Sequence, residues 1–130
     1  LTKAKNPEYA AEAQYVLAEI AFNSGKIEES EKMIHQINAN PSSEYWLAKS
    51  FVLWADIFKS KGNTIQAKQT LQSIIDNYEG DEELIETAKQ KLLSLTDEET
   101  KALQETEDKR QEHQEAVDEI IIEDAEQQNQ

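Results

Sequence analysis

The fold is decided by two matching stretches, LAEIAFNSGK at residues 17–26 and WADIFKSKGN at residues 54–63. Each has a small residue in second place, Ala18 or Ala55, and a glycine in ninth place, Gly25 or Gly62. Glycine adopts the left-handed backbone conformation without Cβ strain, and it therefore commonly ends a helix. A shift of 37 residues aligns the two stretches, and it also aligns Ser30 with Ala67, which are small residues early in the next helix. The repeated pattern predicts one helical hairpin that occurs twice.

Apolar residues recur at helical spacing through the first 95 residues and predict five helices. Their boundaries are expected at Gly25, at Asn40-Pro41, at Gly62-Asn63 and at Gly80, after which Asp81 can cap the fifth helix. Short connections imply antiparallel neighbours, so we expect an all-α fold. The expected buried stripe of the first helix consists of Ala10, Ala13, Val16, Leu17, Ile20 and Ala21.

The composition excludes several classes of function. Thirteen Lys and Arg against 27 Asp and Glu give a net charge of -14, which disfavours binding to nucleic-acid phosphates. The chain has no Cys, and its two His, His35 and His113, lie far apart, so no cofactor or metal site is expected. No apolar run is long enough to enter a membrane. Neither a nucleophile with its base nor a Gly-rich phosphate loop is present, and we expect no enzyme activity.

Charge divides the chain at residue 95. Residues 1–95 carry 10 basic and 14 acidic residues, whereas residues 96–130 carry 3 basic and 13 acidic residues. We therefore expect a helical array over residues 1–95, with a capping helix at residues 81–95. Residues 96–130 are expected to be an acidic tail that starts at a capping box of Thr96 and Glu99, is helical at first, and is disordered past Ile122.

The repeated hairpin resembles the tetratricopeptide repeat, a helix-turn-helix unit of about 34 residues. The residues that carry the resemblance are Leu17, Ala18, Ala21, Gly25, Ser30 and Ile34 in the first copy and Phe51, Trp54, Ala55, Phe58, Gly62, Ala67 and Leu71 in the second. The first copy departs from the pattern at Gln14, where a bulky apolar residue is usual, and at Ser30, where Ala is usual. The resemblance implies a right-handed α-α superhelix of two hairpins and a C-terminal capping helix.

A finer resemblance is to large repeat proteins of Bacteroidetes-type bacteria. It is carried by YWLAK at residues 45–49, QAKQTL at residues 66–71 and IIDNY at residues 74–78. This resemblance implies an exported protein that is periplasmic or associated with the cell envelope, while the residues themselves leave a cytoplasmic location open. We expect the chain to be the C-terminal end of a longer array.

The resemblance implies that the first helix of each hairpin lines a concave surface that binds a protein or peptide segment. The residues expected on that surface are Glu12, Tyr15, Glu19, Phe22 and Asn23 from the first hairpin and Lys49, Val52, Asp56, Lys59 and Ser60 from the second. Tyr15 and Phe22 are either anchors for a ligand or packing residues between helices. Glu19 and Asp56 are acidic, which disfavours recognition of an acidic C-terminus.

Two alternatives stay open: these repeats are a structural end-cap of a longer array that mediates self-association, or they belong to an enzyme subunit or regulator whose catalytic part lies upstream. In the tail, Ile120, Ile121 and Ile122 stand between acidic residues. They are either a linear motif, which adds as a strand or fills an apolar groove, or an ordinary part of the tail.

Overall fold

The computed structural model describes residues 6–128, which form five α-helices and contain no β-strand. The helices are α1 (Pro7–Asn23), α2 (Ile27–Ala39), α3 (Glu44–Ser60), α4 (Thr64–Asn77) and α5 (Glu82–Gln128). The prediction of an all-α chain with five helices is confirmed. The chain divides into two compact units, Leu1–Leu95 and Thr96–Gln130.

The two hairpin turns have the same geometry. Gly25 and Gly62 both have a φ of 80°, in the left-handed region that favours glycine. In both turns the amide after the glycine donates to the carbonyl five residues earlier, with an N–O distance of 2.8 Å. This bond satisfies a carbonyl that the end of the helix leaves without an intrahelical partner. The α1–α2 and α3–α4 hairpins are therefore closed by one repeated device.

Small side chains let the two helices of each hairpin approach closely. In the first hairpin Ala18 and Ser30 are fully buried, and the Ser30 hydroxyl donates to the Ala18 carbonyl at 2.7 Å. In the second hairpin Ala55 and Ala67 take the corresponding places and are 2% and 0% exposed. Ser30 thus keeps the small size that the contact requires and adds a hydrogen bond across it.

Two apolar clusters fill the first unit. One joins the first hairpin to α3 through Ala18, Ile34, Leu53 and Ile57. The other joins α3 and α4 to the first part of α5, and its members include Leu71, Ile74, Leu84, Ala88 and Leu95. A further link between α1 and α3 comes from Trp46, whose indole Nε1 donates to the Glu8 carboxylate at 2.9 Å.

The expected buried stripe of α1 is wrong in part. Ala21 is buried as expected, whereas Ala10 and Ala13 are exposed and Val16, Leu17 and Ile20 are 40%, 55% and 54% exposed. The other buried residues of α1 are Ala11 and Ala18. The inward side of α1 carries the small residues because α2 must approach it closely. Residues 6–95 leave Leu17 and Ile20 more than half exposed.

The fifth helix begins as expected but runs further. Asp81 caps it, since the Asp81 carboxylate accepts from the Leu84 amide at 2.9 Å. The helix then continues without a break to Gln128. It includes Thr96, where the sequence predicted the cap of a new helix, and Ile122, after which the sequence predicted disorder. Neither Gly nor Pro occurs after Gly80. Contacts within the helix support this course, among them the amide of Gln104 with Asp108 at 2.9 Å.

Enlarging the small residue at the centre of the second hairpin is expected to destabilise the fold. Ala67→Leu places extra carbons where α3 and α4 touch, and we expect it to lower the free energy of unfolding by about 2 kcal/mol. The matched control is Gln66→Leu at the exposed neighbouring position, which should change it by less than about 0.5 kcal/mol. Urea denaturation followed by circular dichroism measures both. Equal effects of the two substitutions would contradict the close-approach account.

Candidate binding groove

A groove of about 310 Å³ opens in the first unit, between α1, α3 and the first part of α5. We call it the acidic groove. Seven of the residues expected on the concave surface line it: Tyr15, Glu19, Phe22, Asn23, Lys49, Val52 and Asp56. Neither α2 nor α4 contributes a lining residue. The alignment of the two hairpins therefore brings together side chains that are far apart in the chain.

Three of the residues expected on this surface lie elsewhere. Glu12 is exposed on α1 outside the acidic groove, and Ser60 is exposed at the end of α3, where its hydroxyl donates to the Ile57 carbonyl. Lys59 lines a separate cavity of about 160 Å³, which it shares with Asp56 and Lys91.

Several lining residues were not predicted. Tyr45 stands one helical turn before Lys49, and this spacing could have identified it. The others come mainly from α5, where Leu84, Thr87 and Lys91 share one face. Their helical spacing was visible in the sequence, but the sequence did not indicate that α5 would border the same groove as α1 and α3.

The groove has an apolar floor. Val52, Leu53 and Leu84 line it and are 8%, 3% and 6% exposed. Tyr15 and Phe22 form part of its wall and also pack against the cluster that contains Leu53. The two interpretations of these aromatic residues are thus compatible, because each ring packs on the core with one part and borders the groove with another.

Aromatic rings surround the ammonium group of Lys49. Its Nζ atom lies 5.4 Å from the centre of the Tyr15 ring and 5.9 Å from the centre of the Tyr45 ring. Both distances are within the range of about 6 Å in which a cation is attracted to a ring face. The Trp46 ring packs near both tyrosines, and its centre lies 5.9 Å from that of Tyr15 and 5.0 Å from that of Tyr45.

Two polar contacts fix other side chains of the groove. Lys91 bridges α5 to α3, with its Nζ atom 2.9 Å and 3.1 Å from the two carboxylate oxygens of Asp56. The Tyr15 hydroxyl donates to a Glu19 carboxylate oxygen at 3.2 Å. Both Asp56 and Lys91 are about one third exposed, so this ion pair orients the helices more than it stabilises them.

The pKa of the Tyr15 phenol is raised well above its ordinary value. Burial of the ring is the main cause, because desolvation disfavours the phenolate. The negative charge of Glu19 and the hydrogen bond to it add to the shift, followed by the charge of Asp56. Tyr15 is therefore a neutral donor at physiological pH, held against a carboxylate.

The three isoleucines of the second unit lie within α5. Ile120, Ile121 and Ile122 are 59%, 60% and 58% exposed. Consecutive residues of an α-helix point about 100° apart, so all three cannot face one partner surface. Addition as a β-strand would require this part of α5 to unfold first.

Within residues 6–128 no helix combines the length and apolar character needed to cross a membrane. The same residues contain no group of three or more His, Cys, Asp or Glu side chains placed to hold a metal ion.

The shifted pKa of Tyr15 predicts a pH dependence of stability. The unfolded chain releases the phenol proton near pH 10, whereas the folded chain retains it to higher pH, so the free energy of unfolding falls as the pH rises above about 10. Tyr15→Phe should weaken this fall. Urea denaturation measures the free energy of unfolding of both proteins at about pH 8 and about pH 10.5. The lost hydrogen bond to Glu19 lowers the stability of Tyr15→Phe equally at both pH values, so a change in the difference between the two proteins reports the titration of Tyr15. If the free energy of unfolding fell equally with pH for Tyr15→Phe and for the unaltered chain, the raised pKa of Tyr15 would be contradicted.

Comparison with protein-family models, with curated proteins and with solved structures finds no match to this chain.

Proposed function

We propose that the chain is a non-catalytic protein-interaction module that binds an extended peptide or protein segment in the acidic groove. The observation that carries this proposal is the lining of one groove by α1, α3 and α5 together. Its buried floor offers an apolar surface, while its half-buried tyrosines and charged groups offer orienting contacts. This combination of an apolar centre with a polar rim is typical of protein-binding surfaces.

The proposed architecture is a tetratricopeptide-type right-handed superhelix, in which α1–α2 and α3–α4 are successive repeats and residues 82–95 of α5 cap them. The repeated glycine turns and the repeated small-residue contacts support this proposal. The first helices of the two hairpins both line the groove, as the proposed architecture requires. A role in a cell-envelope assembly is part of the proposal and rests on the resemblance to Bacteroidetes-type repeat proteins.

The size of the groove sets the kind of ligand. A cavity of about 310 Å³ is at the small end of the range for ligand pockets, about 300 to 1,000 Å³. It accommodates a few side chains of a peptide rather than a folded domain. We therefore expect one or two anchoring residues of the ligand to enter the groove while its backbone runs across the rim.

Selection of random dodecapeptides displayed on phage, with the full chain as bait, tests this function. The selected peptides should bind the chain in fluorescence anisotropy. Thr87→Trp fills the groove from its exposed rim and should weaken binding about tenfold, the effect of about 1.4 kcal/mol. Thr100→Trp is the matched control, because Thr87 and Thr100 are both exposed residues of α5 whose hydroxyls donate to the carbonyl four residues earlier at 2.9 Å. Equal binding by both variants would place the peptides outside the groove and refute the proposal.

A second candidate function is self-association, and the exposed side of α1 favours it. Tyr9, Ala13, Val16 and Ile20 form an exposed stripe without a charge, in a chain whose net charge is -14. An antiparallel pair of α1 helices from two copies would place Tyr9 opposite Ile20 and the small Ala13 opposite Val16. A two-fold symmetric interface requires such self-complementary pairing.

Sedimentation velocity tests self-association. The mean mass should rise between about 5 and about 500 µM protein, the range expected for a small interface. Ile20→Glu places a charge in the stripe and should hold the chain as a monomer. Ile65→Glu, at an isolated α4 side chain that is 71% exposed, is the matched control and should leave association unchanged. A monomeric mass at every concentration for the unaltered chain would exclude self-association through α1.

A further inference from the structure

The ammonium of Lys49 marks a cation-binding position within the acidic groove. Its Nζ atom lies within 6 Å of the centres of the Tyr15 and Tyr45 rings, both half-buried. It forms no ion pair with any residue between 6 and 128. Two rings that already hold one alkylammonium group by its charge are suited to hold another, since the attraction depends on the cation and the ring faces rather than on a specific hydrogen bond.

The charges around this position favour a cation. Four carboxylates line the groove, those of Glu19, Asp56, Asp81 and Glu83, against the two amines of Lys49 and Lys91, which gives a net lining charge of 2 − 4 = -2. Lys91 is paired with Asp56, which offsets its attraction for an anionic ligand. An acidic peptide would meet this negative balance at close range and be repelled.

The negative groups are not equally engaged. Asp56 contacts Lys91 through both oxygens, and Asp81 caps the Leu84 amide. Glu19 accepts the Tyr15 hydroxyl and keeps further lone pairs, while the exposed Glu83 side chain stands at the rim. These two carboxylates are the natural counter-charges for an incoming cation.

We propose that the acidic groove recognises a basic peptide segment by placing one of its lysine or arginine side chains against Tyr15 and Tyr45, where Lys49 lies in the free protein. This inference rests on the proposed function and names the chemistry of its ligand. Lys49 is then an internal competitor: its ammonium occupies the aromatic rings until the ligand displaces it. Glu19 and Glu83 hold the incoming charge, and the floor of Val52 and Leu84 receives the aliphatic part of the peptide.

Removing the internal competitor is the decisive test. The dodecapeptides selected on the full chain are expected to be enriched in Lys and Arg relative to the random library. Lys49→Met frees the rings and should strengthen binding of these peptides about fivefold, the equivalent of a cation–π contact of about 1 kcal/mol. The matched control is Lys26→Met, which removes the same charge at an exposed residue outside the groove and should change affinity less than about twofold.

Two ring variants separate recognition from folding. Tyr45→Leu removes one ring face and should weaken binding of the basic peptides about fivefold, whereas Tyr45→Phe keeps the ring and should retain affinity. Replacing each Lys or Arg of a selected peptide with Gln should weaken its binding by a similar factor. Circular dichroism of each variant reports whether the fold is intact.

The outcomes distinguish this inference from the function on which it rests. If the selected peptides bind in the groove, as judged by Thr87→Trp, but are not enriched in basic residues or bind Lys49→Met no more tightly, the cation inference is wrong and peptide binding stands. If acidic peptides are selected instead, Lys49 attracts the ligand rather than competing with it, and the inference of a basic ligand is wrong. If no selected peptide depends on Thr87, the proposed function and this inference both fail.

Discussion

The rest of the structure depends on the close contact between the two helices of each hairpin, where nothing larger than a serine fits. Ala18 meets Ser30 in the first hairpin, and Ala55 corresponds to Ala18 and Ala67 to Ser30 in the second. Helices in such close contact have a fixed orientation, since a packed interface has few alternative arrangements. Within the first unit this contact orients α1 and α3 alike, so that Tyr15 and its equivalent Val52, and Glu19 and its equivalent Asp56, line one groove.

The pattern of small residues and glycines was sufficient to predict the hairpins. Gly25 and Gly62 have a physical role that only glycine fills easily, and the structure gives both the same positive φ. Two pairs of equivalent residues, Tyr15 with Val52 and Glu19 with Asp56, line the groove together, because equivalent positions of a repeated helix face the same way. In each of the other three expected pairs one residue lines the groove and its equivalent, Glu12, Lys59 or Ser60, lies elsewhere. What such an alignment predicts is the place of these side chains, and their role in binding remains a proposal.

Other features could not be read from the sequence because they depend on what packs where. Leu17 and Ile20 resemble core residues, but α1 buries its alanine side and leaves them exposed. Leu84, Thr87 and Lys91 join the groove only because Leu84 and other apolar residues of α5 pack against α3 and α4. The course of α5 past Thr96 was missed for a local reason: a capping box indicates where a helix can begin, not that the preceding helix has ended.

The fifth helix combines two kinds of support in one hydrogen-bonded segment. Its residues Leu84, Ala88 and Leu95 are anchored in the core of the first unit, whereas further along the helix contacts between neighbouring turns join Gln104 to Asp108 and Gln114 to Asp118. Local contacts of this kind contribute only tenths of a kcal/mol each, so the far turns open much more often than the near ones. Backbone amides along α5 should consequently exchange with solvent at rates that rise toward Gln128, and a protease would find its cleavage sites there before it reached the groove.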